Sequence, residues 1–145
     1  MSNLIQYNKF PPSRYMGSKN KIIKNLYEVF NNYKFESALD LFSGSASVSY
    51  LLKSMGKKVI SNDYMSFASN ISKAIIANNN TKLTNKDLNQ LFKRPKSYSK
   101  FVQNKFNEIF FLKDDNDFID IVRHNILNLK NSKKKALAFA ALTKA

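Results

Sequence analysis

The sequence predicts an α/β unit over its first half and a helical segment behind it. Three observations carry this. Two short stretches, Ser37 to Phe42 and Lys58 to Ser61, read as strands on either side of a helical pattern. A loop of small residues, Ser43-Gly44-Ser45-Ala46-Ser47, joins the first strand to that helix. Past the linker Asn78-Asn79-Asn80-Thr81 the character changes and helical spacing takes over.

Taken in order, residues 1–17 form an extended lead-in broken by Pro11-Pro12 and ending at Gly17. Ser18 can cap a helix over 19–33, with Ile22, Ile23, Leu26, Val29 and Phe30 on one face. After the first strand and the small-residue loop, Val48, Leu51, Leu52 and Met55 fall at helical spacing, and Gly56 sits where a C-terminal cap is wanted. The second strand closes on Asn62-Asp63, and a helix over 65–77 turns Phe67, Ile71, Ala74 and Ile75 inward. Thr84-x-x-Asp87 is a capping box opening a short helix to Phe92, which Pro95 ends. Helices over 98–112 and 116–130 follow, the second with Phe118, Ile121, Val122, Ile126 and Leu129 in its core. Lys133 to Ala145 is helical by propensity.

Composition narrows the function classes. The 145 residues contain no cysteine, which excludes disulfide scaffolds, thiolate metal sites and cysteine nucleophiles. A single histidine, His124, excludes a multi-histidine metal site. An apolar share of 43% supports a packed core, while the apolar runs are too short to span a membrane. No signal-peptide pattern opens the chain, so the expected location is the cytoplasm. A net charge of +14 has the right sign for a polyanionic partner. Of the 24 basic residues, however, 21 are Lys and 3 are Arg, beside 19 Asn. That pattern also follows from an AT-rich coding sequence, so charge alone leaves nucleic-acid binding and compositional bias both open.

The sharpest constellation is strand, small-residue loop, helix, strand and acidic residue over 37–63. Gly44 stands 19 residues before Asp63, the spacing at which a nucleotide-binding βαβ unit offers a carboxylate to ribose hydroxyls. Small loop residues admit close backbone approach, and the helix behind them presents unpaired N–H groups. The loop lacks the Walker pattern, so a ligand with little phosphate is preferred. A second segment, Arg14-Tyr15-Met16-Gly17-Ser18-Lys19, sets an ammonium and an aromatic ring at a helix start.

Together these segments resemble the N-terminal half of adenine-N6 DNA methyltransferases of the DNA adenine methylase (Dam) type. Arg14 to Lys19 is similar to that family's motif X, and Asp40-Leu41-Phe42-Ser43-Gly44-Ser45-Ala46-Ser47 to motif I. Ser61-Asn62-Asp63-Tyr64 is similar to the acidic strand end of motif II. The resemblance implies part of a Rossmann-like, S-adenosylmethionine-dependent methyltransferase fold, a mixed αβα sheet, with the helical segment behind it. It also implies that Tyr15 and Lys19 hold the methionine end of S-adenosylmethionine. Asp40, Phe42, Gly44 and Ser45 would floor the pocket, and Asp63 would take the ribose hydroxyls. Ala46 departs from the family, which has a second glycine there.

The family's catalytic motif, Asp/Asn/Ser-Pro-Pro-aromatic, orients a flipped adenine for methyl transfer. It is absent here: the prolines are Pro11, Pro12 and Pro95, and no such residue precedes a Pro-Pro pair. No catalytic residue is therefore assigned, and no metal site. The expectation is a cofactor-binding unit over 1–80 and a helical segment over 81–145 that starts the recognition region or leads to a missing catalytic half. Such a chain would use double-stranded DNA as substrate without methylating it alone. Two alternatives stay open, a non-catalytic basic nucleic-acid-binding module and a subunit that borrows its catalytic half from another chain.

Other features are read conservatively. Lys93, Arg94 and Lys96 form a basic cluster able to contact phosphate, or a solvated helix end. Asp114-Asp115-Asn116-Asp117 lacks the glycine and glutamate of a calcium loop and reads as a helix start. Lys133-Lys134-Lys135 reads as a solvated helix start, His124 as a surface or packed side chain, and Phe110-Phe111 as core.

Overall fold

A computed structural model describes residues 7–10 and 15–144. Pro11, Pro12 and Arg14 lie outside the described residues. The chain falls into two compact units that divide between Asn79 and Asn80.

In the first unit a 3₁₀ turn, Lys19–Ile22, precedes helix α1, Ile23–Asn31. A single helix over 19–33 was expected, but the tighter first turn shifts the helical phase. Ile23 is thereby buried, and Ile22 and Val29 are left exposed. Ile23 packs with Tyr7, Phe10 and Leu51, and Leu26 and Phe30 close this core. Strands β1, Ser37–Asp40, and β2, Lys58–Ser61, form a two-stranded parallel sheet, with Ser37 paired to Lys58 and Asp40 to Ser61. β1 ends at Asp40, two residues short of the expected Phe42, and Ser43 N–H donates to Asn62 O at 2.9 Å as the loop turns away.

Helix α2, Ser47–Ser54, crosses between the strands and buries Leu51 and Leu52. Gly56, at φ +79, closes it with a Schellman turn: Gly56 N–H bonds Lys53 O and Lys57 N–H bonds Leu52 O. Helix α3, Ser66–Ile75, buries Ala68, Ile71 and Ala74. Its C-terminal end is capped from outside. Lys53 Nζ donates to the carbonyls of Ile75, Ile76 and Asn78 at 2.9, 2.7 and 2.8 Å, satisfying groups that a helix end leaves open.

The second unit is helical throughout: α4, Asn85–Phe92; α5, Phe101–Phe106; α6, Lys113–Leu127; and α7, Ser132–Leu142. Its core gathers Leu91, Val122, Ile126, Leu129 and Ala138. Three buried polar side chains on α6 tie the neighbouring loops to it. Asn125 Nδ2 donates to the carbonyls of Leu91 and Lys93, both at 2.8 Å, closing the end of α4. Asp120 accepts from the Val102 and Gln103 N–H groups at 2.9 and 3.0 Å, capping α5. Asn116 donates to Phe111 O at 3.2 Å.

Three expectations for this unit are corrected. The helix over 98–112 stops at Phe106, because Glu108 adopts φ +59 and Asn107 bridges back to Phe111. Phe110 and Phe111 are accordingly exposed rather than core. Phe118 is 46% exposed and stacks on Phe92 at the surface, because Asn116 and Asp120 occupy the inward positions.

The capping box at Thr84 is formed in both directions, and Lys134 Nζ reaches Asp87 at 2.7 Å. The hydrogen bond from Lys134, then those from Thr84, hold the Asp87 carboxyl well below its ordinary value of 3.8. A depressed carboxyl stabilises the fold fully above that ordinary value and loses its contribution as the pH falls further. Thermal melts of Asp87→Asn should therefore lie below those of the parent at pH 6, with the gap closing below pH 3.8. A gap independent of pH would show that the ion pair is idle.

Candidate functional site

Both strands point their carboxyl ends at one place, where open α/β sheets receive ligands. The loop after β1 and the turn after β2 are locked together there. Gly44 N–H donates to Asp63 Oδ2 at 2.8 Å, and Met65 N–H donates to Asp63 Oδ1 at 2.9 Å. Gly44 has φ +50, and a Cβ built on it would stand 3.0 Å from Tyr15 Cε1. The hydroxyl end of the Tyr15 ring therefore lies against the glycine, and the ring stands 5.8 Å from Phe67 between centroids. Ser45 joins the group through its hydroxyl, 3.1 Å from Ser18 Oγ and 3.2 Å from Ser47 Oγ.

Ala46 takes a left-handed conformation, φ 61 and ψ 19, while wholly buried. Such a backbone costs an L-residue about 1–2 kcal/mol. Hydrogen bonds from Ala46 N–H to Ser43 O at 2.7 Å and from Tyr50 N–H to Ala46 O at 2.9 Å hold it there. The methyl that departs from the motif is thus absorbed in packing under the loop. It leaves the N–H groups of the first turn of α2 without a side-chain cap.

Of the residues singled out from sequence, Tyr15, Gly44, Ser45 and Asp63 are brought together. Lys19 is exposed, with Nζ resting on the Gly17 carbonyl at 3.2 Å. Phe42 is 85% exposed. Asp40 turns beneath the loop, accepting from Ser49 Oγ at 2.6 Å. It ends a chain of hydroxyls that sequence reasoning did not identify. Ser49 lies 2.9 Å from Ser61, Ser61 lies 2.9 Å from Ser72, and Ser72 lies 3.1 Å from Ser43. Ser72 is buried on a helix face that otherwise carries Ala68, Ile71 and Ala74, and that misplacement in the pattern was the available signal; Ser49 lies among other buried serines of α2 and gave none.

In the second unit Lys93 and Lys96 are exposed, while Arg94 is committed locally. Its guanidinium pairs with Asp117 and donates to Tyr98 Oη at 2.9 Å. Tyr98 and Arg94 in turn hold the Asp117 carboxyl below its ordinary value. Among the described residues there is no group of three or more His, Cys, Asp or Glu side chains able to hold a metal ion. No helix among them is long and apolar enough to cross a membrane.

A family model for D12 class N6 adenine-specific DNA methyltransferases matches residues 15–144, opening at Tyr15 and running through both units. The chain belongs to this family. The three segments that suggested adenine-N6 DNA methyltransferases are in that sense sound. This D12-class chain is also 35% identical, over 137 residues, to the type II methyltransferase M2.HphI of Haemophilus parahaemolyticus. The similarity covers 94% of this chain and 40% of that relative, so the chain spans well under half of the curated relative's length. No solved structure matches it.

Proposed function

We propose that this chain is the S-adenosylmethionine-binding part of a DNA adenine-N6 methyltransferase, built on a partial Rossmann-like fold, and that it does not methylate DNA by itself. The observation that carries this reading is the cluster of Tyr15, Gly44 and Asp63 at the carboxyl ends of the two strands. The donor set suits a nucleoside. Each Asp63 oxygen accepts one backbone N–H and keeps further lone-pair capacity for a ribose diol. The exposed Lys19 ammonium can leave the Gly17 carbonyl for a carboxylate, and Tyr15 offers a ring face to an apolar stem.

Ser45 and the first turn of α2 floor the site, Phe42 borders it, and Asp40 acts on it through Ser49. The bound cofactor supplies the methyl group, and the groups that orient adenine belong to the motif this sequence lacks. Double-stranded DNA is the substrate. Lys93 and Lys96 supply sequence-independent phosphate contact, with Arg94 joining them only by giving up Asp117.

Titration of the chain with S-adenosylmethionine in a calorimeter tests the reading. Micromolar binding is expected, weakened at least about tenfold, or roughly 1.4 kcal/mol, in Asp63→Ala. Absence of heat in the parent, with the fold intact by circular dichroism, would sink it.

A further inference from the structure

We infer that Arg94, held in place by Asp117 and Tyr98, reads a guanine edge in the major groove of duplex DNA and is a specificity-determining residue. The three side chains close a ring. Arg94 Nη2 donates to Asp117 Oδ2, Arg94 Nη1 donates to Tyr98 Oη at 2.9 Å, and Tyr98 Oη donates to Asp117 Oδ1. A guanidinium carries five N–H donors, so three remain, Nε–H among them. The Arg94 side chain is 65% exposed, which leaves those donors open to a ligand. An ion pair this exposed adds little to stability. What the ring supplies is a fixed guanidinium plane.

The loop that carries Arg94 is fixed as well. Buried Asn125 holds the Leu91 and Lys93 carbonyls, and Phe92 stacks on Phe118 at 5.9 Å between centroids. Asp117, Phe118 and Asn125 all lie on α6, so one helix positions the stretch from 91 to 98. Guanine presents O6 and N7 side by side in the major groove, and a planar fork of donors matches that pair. Phosphate is the poorer match. Asp117 already neutralises the guanidinium and repels a second anion, while the exposed Lys93 and Lys96 beside it are left for the DNA backbone. The residue type agrees. In a chain with 21 Lys among its 24 basic residues, lysine supplies charge, and an arginine between Lys93 and Lys96 serves through its fork.

The inference rests on the proposed function only in taking duplex DNA as what the helical unit meets. The test is selection by the full chain from a random duplex pool, followed by anisotropy titration of the selected site. A position fixed as guanine is expected, with any other base there weakening binding about tenfold. Replacing that base by 7-deazaguanine should weaken the parent about fivefold. The same replacement should leave Arg94→Lys unchanged, because the lysine has already lost the fork. Asp117→Asn should bind random duplex more tightly and discriminate less, whereas a merely structural pair would leave discrimination intact. Lys93→Ala combined with Lys96→Ala should flatten the salt dependence and keep the guanine. Bound DNA with no guanine position, or a guanine preference that survives Arg94→Lys, would overturn the inference alone. Absence of DNA binding would overturn it together with DNA as the substrate. Cofactor titration of the same preparations reports separately on the S-adenosylmethionine site.

Discussion

Gly44→Val is expected to remove S-adenosylmethionine binding more completely than loss of any single polar group. Two effects combine at this position. The backbone sits at φ +50, where an L-residue is strained by about 1–2 kcal/mol and a β-branched one by more. The new Cβ would also meet the Tyr15 ring at 3.0–3.2 Å, so the ring must leave both the loop and Phe67. Losing that aromatic contact adds about 0.5–1.5 kcal/mol. Borne in the bound conformation, the sum of roughly 2–3 kcal/mol weakens affinity about 30- to 150-fold. Calorimetry should show this with the melting of the helical unit unaltered. The cause can be isolated: Tyr15→Ala combined with Gly44→Ala should be less damaging than the two single effects added, because the first removes what the second strikes. Strict additivity would mean that ring and glycine act independently.

The second large effect is expected in the helical unit. Asp120 is 1% exposed and is the only described partner of the Val102 and Gln103 N–H groups. Asp120→Ala leaves two helix-end donors unpaired over a cavity, a loss of about 2–4 kcal/mol. Asp120→Asn should lie between, since one amide oxygen can accept from one donor while its NH₂ opposes the other. Urea denaturation read by circular dichroism would rank the three. Equal stability of Asp120→Ala and the parent would mean that water replaces the carboxylate.

The contrast between the units explains what was legible beforehand. β2 and α2 were announced by apolar spacing and by Gly56. The capping box was readable because Thr84 and Asp87 satisfy each other within one turn. The end of α5 was not readable. No glycine or proline marks it, and the chain turns at Glu108, a non-glycine residue at φ +59. The same limit holds at the site. Gly44 and Asp63 were found because their spacing is a local regularity of βαβ units. Ser49, Ser61 and Ser72 come from three separate elements and meet only through packing, so no window of sequence contains the chain they form.

That hydroxyl chain has a direction. Each serine has one proton to give. Ser49 gives its proton to Asp40, so Ser61 must donate to Ser49, Ser72 to Ser61 and Ser43 to Ser72. One carboxylate on β1 thereby fixes the orientation of four hydroxyl dipoles on β2, two helices and the loop. It leaves Ser43, at the loop end, able to accept but with no proton to spare. The polarity of its lone pair is set four hydrogen bonds away, at the Asp40 end of a single-file row.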